Sequence, residues 1–288
     1  MIYAQSLVNG LLLGGLYACI AAGFSLVWGV LNIINILHGA FIVLGAYVAF
    51  YFHQWWGLHP FVSAIGAAGI AGTIGYFLQA TLINRVVAKS VLITLTLTFG
   101  LELVANNAML LAFTADFRKV TLDNPLGNAN LGGIFLPLDR AAAMGLSLAV
   151  IFAVAYALKS TRMGRAIVAV RTDREAASLM GVDVARTYAL TFAIGAMMAA
   201  AAGSLLSLVF PVSPLSGHVF LGKAFVVCVL GGVGSIGGAV AGGIALGLIE
   251  SFGGIVFGPE SGLILAFALL LAFLVVRPQG LMGNKALV

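Results

Sequence analysis

Apolar residues run along this chain in blocks far longer than the core of a soluble domain requires. Eight stretches stand out, at 7–30, 36–52, 61–84, 91–113, 136–158, 187–210, 222–250 and 261–276. A helix needs about 20 mainly apolar residues to cross a bilayer, and only an internally paired backbone is tolerated in hydrocarbon. Turn-forming or charged segments separate the blocks: WWGLHP at 55–60, NPLGNANLGG at 124–133, FPVSP at 210–214 and FGPES at 257–261. The pattern predicts an all-α integral membrane protein. It has seven or eight transmembrane helices, one of them re-entrant or broken, in a single transmembrane domain over 1–288.

Composition supports lipid as the main solvent. Of 288 residues 62% are hydrophobic and 8% charged, with mean hydropathy +1.14, against a charged share of about 25% in soluble domains. No Lys, Arg, Asp or Glu precedes Arg85. The start MIYAQSLVNG lacks the basic n-region of a secretory signal, so Met1 is expected to begin the mature chain. The net charge of +5 comes from few, scattered basic residues and does not indicate nucleic acid. Cys19 and Cys228 lie in apolar runs without metal-ligand spacing.

The basic residues order the topology. They gather at Arg85 and Lys89, across 159–186 with a net +3, and at Arg277 with Lys285. The positive-inside rule puts all three groups in the cytoplasm. The N-terminus and the loops near 53–60, 114–135 and 211–221 then lie outside. A full crossing by 222–250 would move Arg277 and Lys285 to the outer side. A break at Gly231, Gly232, Gly234, Gly237 and Gly238, in GGVGSIGG, resolves this, because glycine tolerates unusual dihedrals and close approach. The alternative is an eighth full span with inverted charge at the tail.

Within 159–186, Glu175, Ala176, Ala177 and Gly181 form E-A-A-x-x-x-G. Thr172 and Glu175 have capping-box spacing, and Gly181 suits a left-handed C′ position. A helix of about 173–180 is expected, showing Ala176, Ala177, Leu179 and Met180 to a partner. An interfacial helix lying against the headgroups is the plainer alternative. This motif resembles the coupling loop of ABC importer permeases. STRMGRA at 160–166, GKAF at 222–225, LGGVGSIGG at 230–238, NIINILHGAF at 32–41 and RPQGLMG at 277–283 resemble one branch of them, the branched-chain amino acid permeases, and in particular the shorter permease subunit.

The resemblance covers the whole chain and implies a bacterial inner-membrane importer. Its other parts would be a second related permease, two cytoplasmic ABC ATPases and an external solute-binding protein. It also implies an ATPase-coupling set of Gly164, Arg165, Thr172, Arg174, Glu175, Ala176, Ala177 and Gly181. The I-x-L-P ending of the broader importer motif is absent after Gly181. No G-x-x-x-x-G-K-[ST] occurs, so ATP and Mg belong to the partner ATPases and this chain is expected to bind no cofactor. Gly232, Gly234 and Gly237 match G-x-G-x-x-G, but without a preceding soluble strand they read as a chain break or tight packing.

Polar side chains at membrane depth are costly and mark pathways or interhelical hydrogen bonds. Thr94, Thr98, Glu102 and Asn106 recur every fourth residue, and Asn32, Asn35, His38 and Gly39 surround the first gap between spans. The expected substrate pathway is Asn32, Asn35, His38, Gly39, Thr98, Glu102 and Asn106. Satisfaction of backbone at an irregular turn is the competing reading. Gly10 and Gly14 read as helix packing. His53 and His59 flank Trp55 and Trp56 as headgroup anchors, and no metal site is expected. His218 is ambiguous. The polar loop 114–135, with Asp116, Arg118, Lys119 and Asp123, is either a binding-protein contact or a hydrated connector.

Three other classes compete. Permeases of this branch for urea, amides or small organic acids would look alike. A self-sufficient secondary transporter or channel would need carboxylates such as Glu102 and Glu250 inside the spans. An intramembrane enzyme finds no H-E-x-x-H or G-x-S-x-G here.

Overall fold

The computed structural model describes residues 1–87, 89–122, 125–258, 261–276 and 280–282. Arg277, Lys285 and Asp123 lie outside them. The helices are α1 (Ile2–Leu31), α2 (His38–Trp56), α3 (Pro60–Thr81), α4 (Val91–Phe113), α5 (Leu138–Ser160), α6 (Arg162–Thr172), α7 (Arg174–Leu179), α8 (Val184–Leu206), α9 (Gly217–Gly231), α10 (Ile236–Phe257) and α11 (Ser261–Val276). Among the described residues seven helical segments are long and apolar enough to cross a membrane. The chain is an all-α integral membrane protein, with one small antiparallel hairpin of β1 (Asn128–Leu131) and β2 (Ile134–Pro137).

At 30 residues, α1 is about 45 Å long. It forms the axis of the bundle and is buried along almost all of its length beyond its first three turns. Lipid supplies no hydrophobic drive between helices, so close backbone packing must hold them. Gly14 provides it: a Cβ there would lie 2.7 Å from Ile244 Cα of α10. The polar partner of this contact is Ser6, whose hydroxyl meets Ser251 at 2.9 Å. By contrast α3, α4 and α5 expose large apolar side chains such as Ile65, Leu111, Phe152 and Tyr156, as a lipid-facing ring does.

Contacts between elements define the two ends of the bundle. At one, Gln5 pairs with the Phe135 backbone in both directions, and residues 118 and 212 bridge. At the other, Asn84 donates to the Ala185 carbonyl, and Gly29 of α1 abuts Gly234. The second end carries α6 and α7 and is called the loop end below.

The 222–250 stretch is two helices. Helix α9 starts earlier than the hydropathy suggests, at Gly217, and ends at Gly231. Gly232 and Gly234 adopt φ of +100° and +78°, and α10 leaves in the opposite direction under a Ser235 cap that accepts from Gly238 N. Gly231 and Gly238 are in backbone contact across this turn. Residues 281 and 282 then donate their N–H groups to the Leu230 and Gly231 carbonyls. The end of the described chain therefore lies at the loop end, as the charge argument requires.

Candidate coupling and translocation sites

Two helices build the loop end. α6 starts under Thr161, whose Oγ1 accepts from Gly164 N at 2.9 Å. Gly164 is buried against the Ala157–Leu158 backbone, a turn too close for any Cβ. The start of α7 differs from the expected capping box. Asp173 Oδ1 accepts from Glu175 N and Ala176 N, at 2.9 and 3.0 Å. Thr172 is the last residue of α6, and its hydroxyl donates to the Val168 carbonyl. Aspartate takes the cap because α6 runs one residue further than a polar linker would.

Gly181 has φ +84°, and the Gly181 and Val182 N–H groups reach back to the Ser178 and Ala177 carbonyls. This closes the short helix in the left-handed manner that glycine permits. Ala177 is buried and anchors α7, so it does not face outward as expected. Arg174, Glu175 and Ala176 are exposed, while Leu179 and Met180 are 88% and 84% exposed. These two large apolar side chains, at the last residue and the C-cap of a six-residue helix, form a knob that is not covered by the described residues.

This end is tied to the glycine break by Arg171. Its Nη1 donates to the Gly234 carbonyl at 2.8 Å, while Ser25 of α1 accepts from Gly234 N at 2.8 Å. Arg171 lies two residues before the α7 cap. Arg171, on α6, thus ties the start of the α7 region to the turn between α9 and α10, a link invisible in the sequence because 63 residues separate its partners.

Deep in the bundle two irregular segments meet. Residues 32–37 rise from the loop end of α1, and 207–216 descend from the far end of α8. The helices that follow, α2 and α9, begin in contact: a Cβ on Gly39 would lie 2.7 Å from the Gly217 carbonyl oxygen. His38 Nε2 donates to the Ile20 carbonyl at 3.0 Å, about 16 Å inside the loop end of α1. Thr98 supports the ascending segment, its hydroxyl accepting from Ile36 N and standing within donating reach of the Ile34 and Leu95 carbonyls. Discontinuous helices of this kind place backbone and polar groups at mid-membrane.

The stripe on α4 faces this meeting point. Thr94, Thr98, Glu102 and Asn106 are all buried. Glu102 Oε1 accepts from Asn106 Nδ2 at 2.6 Å and lies 3.4 Å from His218 Nδ1, at the start of α9. Asn35 Oδ1, His38 Nδ1, Glu102 Oε2 and Asn106 Oδ1 are buried without a partner among the described residues. His218, half exposed, lines a cavity of 250 Å³ with Phe24, Ile34, Leu221, Gly222 and Phe225. The structure thus joins Asn35, His38, Gly39, Thr98, Glu102 and Asn106 around one region. Asn32 stands apart: exposed, at φ +54°, it ends α1.

Sequence reasoning left His218 open and missed Lys223. The Lys223 ammonium, on α9, is buried and reaches Glu250 Oε1 at 2.7 Å and the Tyr17 hydroxyl at 2.8 Å, over the Tyr17 ring. Glu250 is therefore a paired ion that braces α1, α9 and α10, which removes it as a free coupling carboxylate. His59 caps α3, its Nδ1 accepting from Phe61 N, and burial holds it below the ordinary imidazole range. Among the described residues no His, Cys, Asp or Glu cluster could hold a metal.

Fold and sites together define an integral membrane bundle with interrupted helices and a buried polar stripe at mid-depth. Residues 6–274 match the family described as the permease component of the branched-chain amino acid transport system. The chain is 33% identical to the high-affinity branched-chain amino acid transport system permease protein BraD of Pseudomonas aeruginosa, over 98% of this chain and 96% of that one. It is 32% identical to LivH of Escherichia coli K12, with the same coverage. It also shares its fold with PsaBC from Streptococcus pneumoniae, at TM-score 0.52 and 14% identity, over 96% and 92% of the two chains. The chain belongs to the branched-chain amino acid transport system permease family, and is a transport component, not an enzyme.

Proposed function

We propose that this chain moves branched-chain or other apolar amino acids across the bacterial inner membrane, driven by ATP hydrolysed on separate subunits. The substrate class is the one named for BraD and LivH, to which it is similar over almost its full length. The observation that carries the reading is the mid-depth region itself. An apolar cavity walled by Phe24, Ile34, Leu221 and Phe225 has His218 in its lining, and His218 in turn meets the buried Glu102. Such a site suits a solute with an aliphatic body and a charged head, since apolar walls with few placed polar groups are the usual recipe for small-molecule recognition.

In this reading Asn35, His38, Gly39, Thr98, Glu102 and Asn106 border the pathway. The net +3 charge of 159–186 supports a cytoplasmic loop, and the position of residues 280–282 at the same end supports a cytoplasmic C-terminus. Leu179 and Met180 enter a groove on an ABC ATPase. Arg171 carries closure of the ATPase pair to the α9–α10 turn, which changes the access of the cavity to either face. A second permease and an external solute-binding protein complete the assembly.

The test is competition. Cells expressing the full transporter should take up labelled leucine, and excess isoleucine or valine should suppress this while urea, acetamide or a carboxylate without an amino group should not. Suppression by urea or amides alone would move the substrate to the other branch.

A further inference from the structure

A second cleft, at the loop end, has a different chemistry. It measures 650 Å³ and lies between the α5–α6 elbow on one side and α1 and α10 on the other. Its walls are apolar, Leu26, Phe152 and Val240 among them, while its rim carries Lys159, Arg165 and Arg171 and no carboxylate. Both guanidinium groups are held in place. Arg165 Nη1 donates to the Ser160 carbonyl at 3.1 Å, and Arg171 Nη1 to that of Gly234. Phe152, about two turns before Lys159 on α5, is 69% exposed and continues the apolar wall outward.

We propose that this cleft binds one anionic diacyl phospholipid, its phosphate on Lys159 and Arg165 beside Arg171 and an acyl chain along Leu26, Phe152 and Val240. Charge complementarity selects the occupant. Three cations that have no ion-pair partner among the described residues, above an apolar slot, match an anionic headgroup on a hydrocarbon tail, whereas a free phosphate would leave the slot unused. Arg recognises phosphate through paired N–H groups, and basic pockets between transmembrane helices at the headgroup level are lipid sites by the same physics. The α5–α6 elbow lies at that level, because there an apolar span gives way to an amphipathic helix. Since Arg171 also holds the Gly234 carbonyl, a bound lipid would steady the turn between α9 and α10. The proposal does not depend on which face of the membrane the loop end occupies or on the transported solute.

Native mass spectrometry of the purified, delipidated protein with whatever partners remain bound would compare phosphatidylglycerol with phosphatidylcholine. The wild type should prefer phosphatidylglycerol at least tenfold, inorganic phosphate should not displace it, and K159Q/R165Q should reduce the preference to within twofold. Arg171 is left intact there so that the Gly234 turn is kept. Equal affinity for both lipids in the wild type, or an undiminished preference in the double variant, would overturn the proposal. A photoactivatable phosphatidylglycerol in native vesicles should label 152–171 of the wild type. If a cysteine at Phe152 instead cross-links to another protein chain, the cleft is a protein contact and the lipid assignment is wrong.

Discussion

Glu102 shows how much an intramembrane position asks of one side chain. It is 1% exposed, has Asn106 and His218 as partners, and has no partner for Oε2 among the described residues. A buried carboxyl group with an unmet oxygen is costly, which makes Glu102 a candidate for the pathway. Glu102→Gln should lower leucine uptake at least tenfold, about 1.4 kcal/mol, while the protein still reaches the membrane; uptake within twofold of wild type would remove Glu102 from the pathway. Lys223 makes the opposite case. Lys223→Met strands Glu250 and should destabilise by about 3–5 kcal/mol, read as lost yield and melting temperature in detergent. The double variant with Glu250→Leu should recover most of that, because an apolar pair replaces the ions.

His59 adds a pH effect at the same scale. Its neutral Nδ1 accepts the α3 cap bond, and burial holds its proton affinity below the unfolded value. The cap is thus present above the unfolded pKa and lost as pH falls through the lower folded value. Acidification through the folded-state value, which lies below the ordinary imidazole range, should lower the protection of 61–63 against hydrogen exchange, measured relative to the intrinsic rate at each pH, and much less so in His59→Asn, which caps without titrating.

At the scale of elements, α7 depends on Asp173 and Gly181. Asp173→Ala should cost about 1 kcal/mol of local helix stability, and Gly181→Val more, since a β-branched residue at φ +84° is strained. Both should raise exchange in 174–182 while leaving the spans intact. Much of this level was readable beforehand. Long apolar runs cannot be anything but membrane helices, and the glycines of 231–238 marked the turn because few other residues reach φ of +100° or +78°. Other features were not readable, for physical reasons. Thr172 and Asp173 are both good caps, and only the length of α6 decides between them. The α6 helix was hidden in a charged stretch, and β1 and β2 have four residues each, too short for a periodicity. The Lys223–Glu250 pair, the Arg171–Gly234 bond and the part of His218 beside Glu102 depend on tertiary packing, which no local pattern carries.

For the whole molecule, the proposed function joins two places. In that reading solute passes near the meeting of 32–37 with 207–216, and force enters through Leu179 and Met180, with Arg171 and the Gly234 turn between them. The measurement that tests this most directly is uptake of labelled leucine by proteoliposomes containing the purified transporter, with ATP enclosed on the loop side and binding protein outside. The account predicts ATP-dependent uptake that L179D/M180D abolishes while the variant remains inserted. It would be contradicted if this chain alone, without any ATPase, took up leucine on an ion gradient, or if the double variant transported at the wild-type rate.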